Sequence, residues 1–235
     1  CGKGLHFKCD ADLGATNSMT LEQKNTCIMC RTKAAAGGSK EDIERLRGWA
    51  KKGKAWAMCV LADRYLDGLG VKQSDKKAIE LYGMAAKRGQ ASAQYNLGLY
   101  YQQGSHGLTQ SNKRAFELYT LAADQGDAVA QYNLAHMYET GKYVEQSDTR
   151  AIELYEMAAK RGSANAQYNL GQFYDQGIRG LTKSPEKAIE FWTLAAEQGY
   201  ADAQFNLGCM YANGEGVEQS VSKARELWTK AAAQG

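Results

Sequence analysis

Five side chains that can bind a metal ion lie within the first 30 residues of this chain, which has 235 residues in all. They are Cys1, His6, Cys9, Cys27 and Cys30. His6 and Cys9, like Cys27 and Cys30, are separated by two residues, and at that spacing a tight turn can hold thiolate and imidazole on one tetrahedral zinc ion. Free thiols without metal and a disulfide pair are the alternatives that these residues leave open. The pattern makes zinc the candidate cofactor of this segment.

No sequence motif in this chain points to catalysis. The three histidines, His6, His106 and His136, have no paired serine or cysteine motif around them. The chain contains no H-E-x-x-H zinc motif, no phosphate-binding P-loop and no nucleophile elbow. We therefore expect no catalytic residue in this chain.

A carboxamide beside an aromatic ring recurs four times. The carboxamides are Asn96, Asn133, Asn169 and Asn206, and the rings before them are Tyr95, Tyr132, Tyr168 and Phe205. A carboxamide carries both a donor and an acceptor, so it can pair with an extended peptide backbone, and the ring adds contact area. Alternatively, each asparagine holds a contact between repeats and each ring fills a packing gap. The residue types leave both interpretations open.

These eight residues belong to an internal repeat, which dominates the sequence. The string QYNLG or a close variant starts at Gln94, Gln131, Gln167 and Gln204, at steps of 37, 36 and 37 residues, and a worn copy starts at Met58. A string such as KAIELYGMAAKRG follows each copy. The pattern predicts five repeats over residues 54–235, preceded by a half repeat over residues 39–53.

Each repeat is predicted to form two helices. In the first helix, Ala93, Leu97 and Tyr101 recur at the helical period, and the second helix ends at a glycine such as Gly126. Serines precede the second helices as candidate N-caps, namely Ser74, Ser111, Ser147 and Ser184. A two-helix unit cannot bury its own apolar side, so we expect an all-α fold in which neighbouring repeats stack.

The repeat resembles a known family. Its pattern A-x-A-Q-Y-N-L-G-x-x-Y, then G-x-G-V, then K-A-x-E-L-Y-x-x-A-A-x-x-G, is similar to the Sel-like repeat, a relative of the tetratricopeptide repeat, over about residues 54–235. The resemblance implies a right-handed α/α superhelix that binds protein or peptide partners on its concave face as a scaffold or adaptor. It places the residue before the Leu-Gly pair in the groove, which makes the four asparagines and their aromatic neighbours a candidate peptide-binding strip.

The N-terminal segment, residues 1–38, resembles part of a RING finger. CGKGLHFKC is similar to the RING stretch C-G-H-x-[ILF]-C-x-x-C, and CIMCR is similar to its closing C-x-x-C. Lys3 stands where the fourth ligand belongs, and lysine is not a zinc ligand. The third and the fifth to eighth positions of the RING order fall on Cys1, His6, Cys9, Cys27 and Cys30, and the first two ligands would lie before Cys1. A complete finger would imply docking of a ubiquitin-conjugating enzyme, so the alternative function is the substrate-recruiting part of a RING-type ubiquitin ligase.

Composition and charge exclude other classes. Lys plus Arg is 29 and Asp plus Glu is 26, and a net charge of +3 is too near balance for a nucleic-acid binder. No uncharged stretch is apolar enough to span a bilayer, and no signal peptide is visible. Both ends look cut, which indicates a piece of a longer protein. Cys59 and Cys209 are expected to be buried packing residues, and the charge and cysteine usage favour the cytoplasm.

Overall fold

The computed structural model describes residues 38–234, and in this range the chain forms eleven helices and no strand. In chain order the helices are α1 (Lys40–Lys51), α2 (Ala55–Asp67), α3 (Asp75–Lys87), α4 (Ala91–Gln103), α5 (Asn112–Asp124), α6 (Ala128–Thr140), α7 (Asp148–Lys160), α8 (Ala164–Gln176), α9 (Pro185–Glu197), α10 (Ala201–Asn213) and α11 (Val221–Ala232). The all-α prediction is confirmed for this range. Among the described helices, none has both the length and the apolar character needed to cross a membrane.

Contacts divide the described residues into two compact units, with the division between Ala85 and Ala86. In the described part of the first unit, α1 packs on α2, and the rings of Trp49 and Trp56 lie 4.9 Å apart. The Ser39 hydroxyl accepts the N–H of Asp42 and caps the start of α1. The predicted half repeat thus contains one helix.

The second unit contains four helical pairs, α4–α5, α6–α7, α8–α9 and α10–α11. Each second helix of these pairs begins after a serine whose hydroxyl accepts a backbone N–H three residues later, and these serines are Ser111, Ser147, Ser184 and Ser220. The predicted caps in this unit are confirmed. Each first helix ends at a glycine with a left-handed backbone, as at Gly104 (φ 65°), where any other residue would be strained.

Within a pair, the two helices approach closely because a small residue of the first faces an aromatic residue of the second. A Cβ atom added to Gly171 would lie 2.4 Å from Nε1 of Trp192. The same Nε1 donates a hydrogen bond of 3.2 Å to the carbonyl oxygen of Tyr168. In the α6–α7 pair the corresponding residues are Ala135 and Tyr155, and in the α4–α5 pair they are Gly98 and Tyr119.

Between repeats, buried glutamines join each first helix to the preceding repeat. The Nε2 atom of each donates to a second-helix carbonyl, and these glutamines are Gln94, Gln131, Gln167 and Gln204. The oxygen of Gln167 in turn accepts from Gln198 at 2.7 Å. The oxygens of Gln94 and Gln204 accept in the same way from Gln125 and Gln234. The sequence analysis did not single out this row.

Candidate functional site

The predicted strip lies on the four first helices of the second unit, with one asparagine and one aromatic ring on each of α4, α6, α8 and α10. The four asparagines and the three tyrosines are half-buried. Phe205 is different, because 54% of its surface is exposed. The equivalent helical positions place all eight residues on the same side of successive first helices.

The asparagine side chains contact tyrosine hydroxyls. Asn133 interacts with the hydroxyls of Tyr95 and Tyr119, and Asn169 with that of Tyr155. The Tyr119 hydroxyl itself donates to Oε1 of Gln102 at 2.8 Å. Asn206 likewise interacts with the hydroxyl of Tyr168. A carboxamide can make four hydrogen bonds, so these contacts use part of that capacity. These specific contacts therefore support the packing interpretation of the asparagines, and the binding interpretation stays a prediction.

The aromatic rings of the strip also pack within the fold. Ring centroids lie 5.9 Å apart for Tyr95 and Tyr119, and 5.6 Å apart for Tyr132 and Tyr155. Burial raises the pKa of Tyr95 above its ordinary value of 10.0. The raised pKa extends the pH range above 10 in which this hydroxyl stays protonated. Tyr95, Tyr132 and Phe205 each lie beside a second-helix ring, whereas Tyr168 lies 5.0 Å from the ring of Tyr200, the residue before α10.

A groove opens between α8 and α10, with a volume of about 290 Å³. We call it the α8/α10 groove, and its lining residues are Gln172, Asp175, Gln176, Trp192, Asn206, Cys209, Met210, Asn213 and Glu215. Four of these side chains are carboxamides and two are carboxylates. Asn206 is the member of the predicted strip that lines this groove.

The two cysteines of the described range differ in burial. Cys59 is 8% exposed, so its predicted packing role is confirmed. Cys209 is half-buried and lines the α8/α10 groove, so the prediction of a buried packing residue is wrong for it. The reason is its position on α10: the preceding residue, Gly208, faces the second-helix ring of Trp228, and the side chain of Cys209 points to the groove instead.

The junction between α6 and α8 contains a different polar arrangement. There Glu139 stands at the position that Asp175 occupies on α8. The Oε1 atom of Glu139 accepts from Nη2 of Arg179 at 3.1 Å, and its Oε2 atom accepts from the Tyr155 hydroxyl at 2.7 Å. Arg179 also donates to Asp148 at 3.1 Å. An arginine of the loop after α8 thus bridges two carboxylates of the preceding repeat.

The predicted zinc ligands Cys1, His6, Cys9, Cys27 and Cys30 lie outside the described residues. Within residues 38–234, no group of three or more His, Cys, Asp or Glu side chains could hold a metal ion. Zinc therefore stays a prediction from the sequence.

Most of the α8/α10 groove was not predicted from the sequence, including Gln172, Gln176, Asn213 and the two carboxylates. A position-by-position comparison of the repeats contains the signal. It shows that Asp175 keeps the acidic character of Glu139, while Trp192 replaces Tyr155 and Glu215 stands in the loop that carries Arg179 one repeat earlier.

Known structures share this architecture. A Sel1 repeat protein from Oxalobacter formigenes is 30% identical over 82% of this chain and 79% of its own, with a TM-score of 0.73. The protein c5321, a protective antigen present in uropathogenic Escherichia coli strains that displays an SLR fold, is 28% identical with a TM-score of 0.63. That match covers 82% of this chain but only 49% of c5321. The immunity protein Pa5087 from Pseudomonas aeruginosa, at 22% identity over 81% of this chain and 71% of its own (TM-score 0.51), is similar in fold alone.

The family comparison assigns the repeats. No curated protein shows significant similarity to the chain. The Sel1 repeat model matches residues 57–90, 91–127, 128–163, 164–200 and 201–235. These matches cover well over half of the chain, and together with the solved structures they confirm the all-α superhelical repeat fold. The chain belongs to the Sel1 repeat family.

Proposed function

We propose that this chain is a scaffold or adaptor whose second unit binds an extended segment of a partner protein along α4, α6, α8 and α10. Sel1 repeat proteins generally mediate protein–protein interaction. The observation that carries the finer proposal is the α8/α10 groove, which is open, polar and lined by four carboxamides.

The chemistry of the groove suits a peptide backbone. An extended segment presents N–H and C=O groups in alternation, whereas a helix satisfies its own backbone groups and can answer only with side chains. A carboxamide both donates and accepts, so each one can pair with a peptide group in either orientation. A volume of about 290 Å³ is at the lower end of small-molecule sites, which favours a short segment with one inserted side chain.

The direct test uses a displayed library of random peptides. We expect the full chain to enrich a set of peptides that bind about tenfold more weakly to the double variant Gln176→Ala/Asn213→Ala. Both side chains are exposed at the ends of α8 and α10, so the fold should tolerate the change. The matched control is the double variant Glu117→Ala/Glu190→Ala, at exposed positions of the second helices α5 and α9, outside the proposed binding face. Failure to enrich any peptide, or equal affinity for the double variant, would refute the proposal.

The strip asparagines require a test that separates binding from packing. Asn133→Ala and Asn169→Ala remove a polar interaction with the buried hydroxyls of Tyr119 and Tyr155, so each should lower the free energy of unfolding by about 1 kcal/mol. The proposal adds that each also weakens peptide binding under conditions where the variant is fully folded. Lower stability with unchanged peptide affinity would leave these residues a packing role alone.

A second candidate function rests on the N-terminal cysteines. The resemblance of residues 1–38 to part of a RING finger supports a ubiquitin ligase in which the repeats recruit the substrate. Its first requirement is zinc, so the metal content of the purified chain should fall when Cys27→Ser/Cys30→Ser is introduced. Cys209→Ser is the matched control. A metal-free chain that is folded under reducing, zinc-supplemented conditions would contradict this candidate.

A further inference from the structure

The α6/α8 and α8/α10 junctions of the second unit differ in the hydrogen bonds that an equivalent carboxylate accepts. At the α6/α8 junction, Glu139 receives hydrogen bonds from Arg179 and from the Tyr155 hydroxyl. At the α8/α10 junction the equivalent residue is Asp175, which is half-buried and lines the α8/α10 groove. Glu139 thus has a bound arginine, and Asp175 is the equivalent carboxylate whose partners can be compared with those of Glu139.

Asp175 has lost both of the donors that Glu139 has. Trp192 occupies the position of Tyr155, and its Nε1 atom is directed to the carbonyl oxygen of Tyr168. The loop after α10 carries Glu215 where the loop after α8 brings Arg179, and Glu215 lines the same groove. In the range from Gly38 to Gln234, neither Asp175 nor Glu215 takes part in an ion pair or a side-chain hydrogen bond.

The charges of the groove are consequently uncompensated. Its lining contains two carboxylates and no cation, in a chain whose net charge is +3. A half-buried carboxylate is more stable when a hydrogen-bonding cation is nearby, and a guanidinium is the cation that bridges two carboxylates with fixed geometry. Arg179 already does this between Glu139 and Asp148, at 3.1 Å from each.

We propose that the α8/α10 groove is an arginine site, in which an arginine side chain of the bound partner segment lies between Asp175 and Glu215. The partner's guanidinium would pair with Asp175 as Arg179 pairs with Glu139. Its second carboxylate is the exposed Glu215, because Pro185 stands at the position that Asp148 occupies one repeat earlier. The carboxamides of Gln172, Gln176 and Asn206 lie around it and contact the backbone of the same segment. This inference rests on the proposed function and adds the side chain that the site selects.

The test is a nuclear magnetic resonance titration of the full chain with three capped pentapeptides. Each has four alanines around a central residue, which is arginine, citrulline or lysine. Citrulline keeps the shape of arginine and removes its charge. We expect the arginine peptide to shift the amide signals of Asp175 and Glu215 and the side-chain signals of Gln172 and Asn206, with an affinity at least about tenfold above that of the citrulline peptide and above that of the lysine peptide.

Variants identify the carboxylates. Asp175→Asn and Glu215→Gln should each weaken the arginine peptide by about fivefold or more, since each removes one charge-assisted contact. Glu190→Gln is the matched control, because it removes one negative charge from an exposed position of α9 in the same repeat. Its affinity for the arginine peptide should equal that of the unaltered chain.

The outcomes separate the two proposals. If the arginine and citrulline peptides shift the groove signals with equal affinity, the face binds peptide but the arginine site is wrong. If no peptide shifts these signals, the arginine site is again wrong, while the peptide library decides the proposed function independently. An equal loss of affinity in Glu190→Gln would show a general charge effect and would also overturn the arginine site.

Discussion

Gln131 is fully buried, and its carboxamide is the one of the buried glutamine row with an unsatisfied oxygen in the described range. Its Nε2 atom donates to the carbonyl of Ala123 at 3.1 Å, as in the other repeats. Its oxygen differs because the residue that would donate to it is Arg161 and not a glutamine. The guanidinium of Arg161 lies against Gly126 instead. A buried acceptor without a donor costs about 1–3 kcal/mol.

Replacing Arg161 by glutamine should repair this junction. Arg161→Gln recreates the pairing in which Gln198 donates to Gln167 at 2.7 Å. We expect the free energy of unfolding to rise by about 1 kcal/mol, measured by urea denaturation followed by circular dichroism. Arg161→Ala is the control, because it removes the guanidinium without supplying a donor. Equal stability of the glutamine and alanine variants would show that the oxygen of Gln131 needs no partner.

At the scale of two packed helices, one small first-helix residue faces one second-helix ring; glycine faces tryptophan or tyrosine, and alanine faces tyrosine. Gly171 faces the indole of Trp192, which is 3% exposed and hydrogen-bonded to the carbonyl of Tyr168. Ala135 faces the smaller ring of Tyr155. Because the indole is enclosed, it has little room to move away from an added methyl group.

Gly171→Ala should therefore destabilise the α8–α9 pair. Alanine is favoured over glycine in a helix by about 1 kcal/mol, but overpacking costs about 1–3 kcal/mol, and a contact of 2.4 Å with an enclosed ring places this site at the upper end. We expect a net loss of about 1–2 kcal/mol in urea denaturation. Adding Trp192→Tyr should restore stability, because the double variant copies the pair of Ala135 and Tyr155.

A matched substitution on another element checks the cause. Gly98 faces Tyr119, so Gly98→Ala produces the same type of pair as Ala135 with Tyr155 and should change stability by less than about 1 kcal/mol. If Gly98→Ala and Gly171→Ala were equally destabilising, helix–helix spacing and not ring size would be the cause.

The helices could be predicted from sequence because each signal is local and recurs in every copy: a serine cap such as Ser111, an apolar period and a terminal glycine. The α8/α10 groove could not, because it depends on what one repeat lacks relative to its neighbour. The lack of an arginine partner at Asp175 becomes evident only when Asp175 is compared with Glu139, which accepts a hydrogen bond from Arg179. The strip residues lie on the first helices, as predicted. Their asparagines also contact buried tyrosines, and these contacts join residues that are far apart in sequence.

At the scale of the whole molecule, buried tyrosines make the second unit sensitive to alkali. Tyr119 and Tyr155 are fully buried, and burial raises the pKa of both hydroxyls well above the ordinary value of 10.0. In the unfolded chain they ionise near that value. The contribution to stability is therefore complete below pH 10 and is lost progressively above it, since the unfolded state then binds fewer protons.

We expect the free energy of unfolding to fall above pH 10 by about 1.4 kcal/mol per pH unit for each buried tyrosine. Urea denaturation at a series of pH values measures this slope, and absorbance at the tyrosinate band follows ionisation. Tyr119→Phe should reduce the slope by one tyrosine's share. A slope that does not change in this variant would assign the alkaline loss to other groups.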